Sequence, residues 1–123
     1  MNPIKTAKLY IFDMDGTLLD SMGEWTHLGR NYLLSKGITP PADLEETIDA
    51  MTMDESAAYF QTLGIHGDIS TINWEIMELI HRSYRYQIPL KPGIKELLQE
   101  LSTKKDSILC VLTTSERDCA VNA

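Results

Sequence analysis

Cationic side chains are scarce in this sequence: 11 Lys and Arg stand against 18 Asp and Glu, a formal net charge of −7. That balance excludes a general nucleic-acid binder, because affinity for a phosphate backbone comes from clustered Lys and Arg. An anionic ligand would need local help from backbone N–H groups, a metal ion or a few placed cations. Cysteine is scarce too. Cys110 and Cys119 are the only two, too few for a disulfide framework. Cys110 sits inside an apolar run and is expected to be a buried free thiol. No run reaches the roughly 18 apolar residues of a membrane span. The opening MNPIKTAKLYIF lacks the long apolar stretch and small-residue cleavage site of a signal peptide. The expected setting is therefore a reducing cytoplasm, away from membranes.

What is present is a globular composition, 43% hydrophobic and 24% charged, which rules out a disordered tail. Residues 8–12 (KLYIF) are short, apolar and β-favouring, and DMDGT follows at once. They read as a buried strand opening into a functional loop at its carboxyl end, where ligands bind in open α/β sheets. From Asp20 to about Gln87 the pattern turns helical, with three or four short amphipathic helices. Trp25, Leu28, Tyr32 and Leu33 form one apolar stripe, stopped by Gly37. Leu44, Ile48 and Met51 form another. Asp54 is the expected cap of a third helix, and the longest is expected to start near Ser70. The Met and aromatic residues of this stretch read as bundle core.

Pro92 is well placed for the first position of a further helix, in which Ile94, Leu97, Leu98 and Leu101 share a face. A second apolar strand, ILCVL at 108–112, then ends in Thr113-Thr114-Ser115. Strand, helical stretch, helix and strand imply a parallel, right-handed crossover. Two strands cannot bury both faces of a doubly wound sheet, so either further strands or a marginal fragment is expected, with unprotected edges that would favour pairing with another chain.

The chemistry concentrates in Asp13-Met14-Asp15-Gly16-Thr17. Of two carboxylates two apart after a buried strand, one can attack phosphorus and the other can shuttle a proton. Gly16 lets the backbone turn and its N–H approach a ligand. A divalent cation, Mg²⁺ for preference, would offset the repulsion between carboxylates and phosphate, and an acid role for Asp15 calls for a raised pKa. A capped turn or a calcium loop fits the same residues. An EF-hand, however, needs Gly at its sixth position and Glu at its twelfth, whereas counting from Asp13 places Gly16 fourth and Glu24 twelfth.

LYIFDMDGTLLDS closely resembles motif I of the haloacid dehalogenase (HAD) superfamily, and ILCVLTTS resembles its motif II. The lead-in LKPGIKELL at 90–98 is also similar to the family's usual helix before motif II. The resemblance implies an α/β fold with a HAD-like Rossmannoid parallel sheet, residues 1–19 and 88–123 forming the core and 20–87 an inserted α-helical cap, as in phosphoglycolate phosphatase and β-phosphoglucomutase-like members. It implies Asp13 as nucleophile and Asp15 as general acid/base, with Mg²⁺ held by Asp13 and Asp15, the latter also through its backbone carbonyl. Phosphate would be held by Met14, Gly16, Thr113 and Thr114, and the substrate would be a small phosphorylated metabolite. Gly23 and Ile88–Pro92 are the implied hinges, with the cap closing over the site.

The family's motif III Lys and motif IV acidic residues are expected beyond residue 123. Lys91, Lys95, Lys104 and Lys105 read as solvated surface, so residues 1–123 alone are expected to bind Mg²⁺ weakly and catalyse poorly. Where mutase members carry a His and a cap Arg, this sequence has Trp25 and, nearby, Met53. The expectation is accordingly a phosphatase, with a phosphomutase or a non-catalytic fragment as alternatives. His27 reads as an ordinary helix-face residue, and His66 and His81 have no metal-ligand partners at useful spacing in the sequence.

Overall fold

The computed structural model describes residues 8–123. The first seven residues, part of the stretch examined above for a signal peptide and of the expected core, lie outside the described residues. β1 (Lys8–Asp13) is followed by α1 (Met22–Thr26), α2 (Leu28–Ser35), α3 (Leu44–Ile48), α4 (Met53–Thr62) and α5 (Ile69–Tyr86). Then come α6 (Ile94–Thr103), β2 (Ser107–Leu112) and α7 (Arg117–Asn122). β1 and β2 pair in parallel, from Lys8 opposite Ser107 to Asp13 opposite Leu112. The expected α/β class is therefore observed. Between residues 20 and 87 there are five helices, α1 to α5, where three or four were expected. None of the described helices is long and apolar enough to cross a membrane.

The register sorts the strand side chains by face. Tyr10 and Phe12 of β1 and Leu109 of β2 are half-buried, and α6 packs against β2. On the other face Leu9, Ile11, Ile108 and Leu112 are 57%, 57%, 54% and 69% exposed, an apolar surface that a sheet does not normally leave to water. Cys110 lies on that face opposite Ile11 and is exposed, contrary to expectation. An apolar run cannot by itself say which of its alternating faces is covered. The buried thiol is Cys119.

The main core sits among the helices. Tyr32, Leu33, Leu44, Phe60, Ile72 and Ile80 are all at most 2% exposed, and α5 packs on α2, α4 and α7. Gly29 lets α2 approach its neighbours: a Cβ there would lie 2.9 Å from Ile48 Cδ1 and 3.1 Å from Phe60 Cζ. α5 carries one continuous apolar face and is capped by Asp68, whose carboxylate accepts from the Thr71 N–H at 2.7 Å.

Two helix starts differ from expectation. α4 is capped by Thr52, not Asp54. The Thr52 hydroxyl accepts from the Glu55 N–H, and the Glu55 carboxylate accepts from the Thr52 N–H, a reciprocal arrangement open to Thr followed three residues later by Glu. Before α6, Pro92 does not open the helix. Gly93 has φ +81° and ψ −9°, and the Ile94 N–H bonds the Lys91 carbonyl at 3.1 Å. That is a type II turn with Pro at its second position and Gly at its third, so the helix begins two residues later, at Ile94.

The connections between strands and helices are themselves paired. The Asp20 N–H bonds the Pro89 carbonyl at 3.0 Å, and the Lys91 N–H bonds the Leu18 carbonyl at 2.9 Å. Leu19 and Leu90 thus form an antiparallel bridge beside the Asp13 loop.

Candidate active site

The parallel pairing brings the carboxyl ends of β1 and β2 together, so Asp13 and Thr113 share one edge of the sheet. After Asp13 the chain coils tightly. The Met14 carbonyl accepts from the N–H groups of Thr17, Leu18 and Leu19 at 3.3, 3.0 and 3.0 Å, and Leu18 and Leu19 turn into the core. Gly16 takes φ +76° to make this possible. Its N–H bonds the Leu19 carbonyl at 3.0 Å, so that donor holds the loop instead of facing a ligand. Met14 itself is buried and reaches the site only through its backbone.

The Asp13 side chain is exposed, with the Thr17 hydroxyl donating to Oδ2 at 3.3 Å. Asp15 is differently placed. Its Oδ1 accepts from the Ser21 hydroxyl at 2.7 Å and from the Tyr84 hydroxyl, and its Oδ2 accepts from the Ser115 hydroxyl. Burial pushes the Asp15 carboxyl up, but the hydroxyls of Ser115, Ser21 and Tyr84 together outweigh it and hold the group below its ordinary value. The raised pKa expected from the sequence is therefore not found in this arrangement, because three donors satisfy the anion.

These three donors come from different parts of the chain. Ser21 is fully buried just before α1, Tyr84 is on α5 and Ser115 follows β2. The Tyr84 oxygen also accepts from the Trp25 indole N–H at 2.7 Å, and the two rings meet edge to face at 6.3 Å. Burial and the adjacent Asp15 push the Tyr84 phenol up. The helical pattern put Tyr84 and Trp25 in the bundle core; Tyr84 is buried there, but Trp25 is 36% exposed. Their polar ends were the available signal, since a buried Tyr or Trp usually finds a hydrogen-bond partner.

The Thr113 hydroxyl accepts from the Ser115 N–H at 3.1 Å, which shapes the turn and leaves its own hydrogen free to donate. Thr114 is exposed at the same edge. Lys95, Lys104 and Lys105 are exposed and Lys91 half-buried. Among the described residues none of the four pairs with Asp13 or Asp15. An open groove of about 580 Å³ is lined by Asp20, Gly23, Glu24, His27, Arg30, Asn31 and Pro89; it contains neither candidate catalytic carboxylate. His27 lies 3.7 Å from Glu45, which also receives the Arg30 guanidinium at 2.5 and 2.8 Å.

The hard-oxygen donors suited to Mg²⁺ are the open Asp13 carboxylate and the Asp15 carbonyl, which takes no part in the backbone bonds that fold the loop. The Asp15 carboxylate is occupied by its three hydroxyl donors, so its side chain is a poor ligand here. The residues present thus fit an Mg²⁺ ion held through Asp13 and the Asp15 backbone.

No curated protein sequence matches the chain. Several solved structures share its fold. A Thermotoga maritima protein described as a β-phosphoglucomutase superimposes with a TM-score of 0.74 at 23% identity, over 93% of this chain and 53% of its own. The HAD-hydrolase YfnB of Bacillus subtilis, bound to magnesium, gives a TM-score of 0.69 at 17% identity, over 96% and 58%. CbbY of Rhodobacter sphaeroides, in complex with phosphate, gives 0.58 at 22% identity, over 93% and 54%. The chain therefore spans little more than half the length of these structures. The sequence model of the haloacid dehalogenase-like hydrolases matches residues 10–123, from the β1 strand through both candidate motifs. The chain belongs to the haloacid dehalogenase-like hydrolase family.

Proposed function

We propose that this protein is an Mg²⁺-dependent phosphatase that hydrolyses a small phosphorylated metabolite through an aspartyl phosphate on Asp13. The observation that carries the reading is the contrast between the two carboxylates. Asp13 is open to a ligand at the end of β1, while Asp15, two residues on, is held by Ser21, Tyr84 and Ser115. Two carboxylates kept in unlike surroundings suit a nucleophile and a proton-transfer group.

Asp13 attacks phosphorus, and the leaving oxygen takes a proton from Asp15. In the second half, Asp15 takes a proton from the water that displaces phosphate from Asp13. The arrangement described favours the Asp15 anion, the form needed for that second half. The acid form requires its hydroxyl contacts to loosen, and two of the groups involved, Tyr84 and Trp25, lie on the helices between the strands. Thr113 and Thr114, with the Met14 backbone, orient the phosphoryl oxygens. Mg²⁺ at the Asp13 carboxylate and Asp15 carbonyl would neutralise phosphate charge, as the magnesium-bound Bacillus subtilis relative suggests.

Residues 20–87 then serve as a cap that excludes water and selects substrate, with residues 1–19 and 88–123 in the core. The apolar face of Leu9, Ile11, Ile108 and Leu112 would be covered by further core structure or a partner chain. The likeness to a β-phosphoglucomutase makes a phosphomutase the natural rival. Hydrolysis is favoured because the Trp25 indole, a donor only, is engaged with Tyr84, and Met53 carries no charge.

The test is phosphate release from a panel of phosphorylated metabolites by the full-length protein with Mg²⁺. Asp13→Asn should abolish turnover, and Asp15→Asn should lower it about 10²–10⁴-fold. Retained turnover in Asp13→Asn refutes the assignment, and accumulation of a bisphosphorylated sugar supports the mutase.

A further inference from the structure

A second cluster of metal-ligating side chains lies away from Asp13. His81 on α5 faces Glu116 and Cys119 at the start of α7, and their ligand atoms all fall within 4.8 Å of one another. His81 Nε2 is 3.2 Å from Glu116 Oε2. Glu116 and Cys119 are three residues apart, the spacing that places side chains on one helical face. Cys119 is fully buried, the His81 side chain is 20% exposed, and Glu116 lies at the surface. The sequence hid this site because His81 and Glu116 are 35 positions apart. The expectation that His81 has no metal-ligand partner holds for its neighbours in sequence and fails in space.

We propose that His81, Glu116 and Cys119 bind a borderline-soft divalent cation of the Zn²⁺ type, fastening α5 to α7. Imidazole, carboxylate and thiolate are the common protein ligands of Zn²⁺, and a thiolate–imidazole pair discriminates against Mg²⁺. Tetrahedral bonds of about 2.0–2.3 Å place ligand atoms roughly 3.3–3.8 Å apart. His81 and Glu116 are already at that spacing, so the contraction of up to about 1 Å that binding requires falls on the approach to Cys119. Solvent supplies the fourth ligand.

The surroundings suit a cation. Glu78 Oε1 lies 3.7 Å from His81 Nδ1, on the side from which a carboxylate orients a metal-bound imidazole and leaves Nε2 for the ion. Burial first, then the charges of Glu116, Asp15 and Asp118, push the Cys119 thiol up to about 11; the same negative field attracts a cation. On binding, the thiol S–H bond breaks, its proton passes to solvent, and the sulfur–metal bond forms. No electron is transferred. The site is separate from the all-oxygen Mg²⁺ position and does not depend on the phosphatase reading. It would nonetheless act on that position, because Ser115, beside Glu116, donates to Asp15.

The test is titration of the purified full-length protein with Co²⁺ in excess Mg²⁺, read by thiolate-to-cobalt charge-transfer absorption. The expected result is a band that saturates at one ion per chain, disappears in Cys119→Ser and persists in Cys110→Ser. His81→Gln should weaken binding by more than the roughly 10–100-fold lost with an outer-shell partner. Absence of the band in the unaltered protein leaves only a His81–Glu116 ion pair and overturns the proposal, as does a band that survives Cys119→Ser. If Cys119→Ser does not fold, His81→Gln decides: unchanged affinity overturns the site.

Discussion

The Tyr84 hydroxyl at the end of α5 donates to the Asp15 carboxylate, 69 residues earlier in the chain, while accepting from the Trp25 indole. One phenol thus joins two helices of the bundle to the loop after β1. Tyr84→Phe removes a donor from a carboxylate and leaves the indole N–H without its acceptor. The expected cost is about 1–3 kcal/mol, measured by urea unfolding followed through Trp fluorescence. A variant within about 0.5 kcal/mol of the parent would show that the contact adds nothing net. The Asp15 carboxyl should also rise toward its ordinary value.

Stability should fall in acid through two pairs within the helices. The Arg30 guanidinium holds Glu45 down to about 2, and the Lys36 ammonium, joined by the Tyr32 hydroxyl, holds Glu75 below its usual range. A carboxylate whose folded pKa is depressed contributes stability above its unfolded value, about 4.3 for Glu. That contribution is lost as pH falls through the folded value. Urea midpoints should therefore drop between about pH 4.3 and about pH 2. Glu45→Gln should flatten the drop, and an equally steep fall in that variant would assign it to other groups. Both pairs are partly solvated, so added salt should weaken them.

The strands, the long helix and the Asp13 loop were legible because each rests on a local signal. KLYIF and ILCVL are short β-favouring runs, α5 has one continuous apolar stripe, and DMDGT interrupts a strand with acids and a glycine. The partners of Asp15 were not legible, because Ser21, Tyr84 and Ser115 meet only through the fold. Cys110 and Cys119 show the same limit. Burial depends on which strand face is covered, and a linear pattern does not carry that information. Asp54 and Pro92 were assigned the helix starts that belong to Thr52 and Gly93 for a smaller reason: more than one nearby residue could cap or open each helix, and hydrogen bonding chose between them.

The reciprocal cap of α4 can be tested alone. Thr52 is exposed, so Thr52→Ala changes little packing, yet it removes the acceptor of the Glu55 N–H. The expected loss is about 0.5–2 kcal/mol. Asp54→Ala should cost less, since Asp54 does not hold the Thr52 end of the helix, although its carboxylate accepts from the Asn73 amide at 2.7 Å. Thermal melts of the two variants side by side give the comparison. A larger loss for Asp54→Ala would return the capping role to Asp54.

Gly29 gives the most stringent test of the bundle packing. A Cβ there would meet Ile48 and Phe60 inside van der Waals contact, whereas replacing a glycine in a helix favours the helix by up to about 1 kcal/mol, and by less in the first turn of α2, where Gly29 lies. The two effects oppose each other. In Gly29→Val the β-branched side chain gains less in propensity and overlaps more, so packing should win and the protein lose about 1–3 kcal/mol. Gly37 is the control for the clash, since a Cβ at that position meets nothing within 4 Å; its φ of +75° makes any loss there one of backbone strain. Combining Gly29→Val with Ile48→Ala separates packing from other causes. Space freed at residue 48 should offset part of the valine's cost, making the double variant more stable than the sum of the single losses. Simple additivity would mean that α2 does not press on α3 as the structure describes.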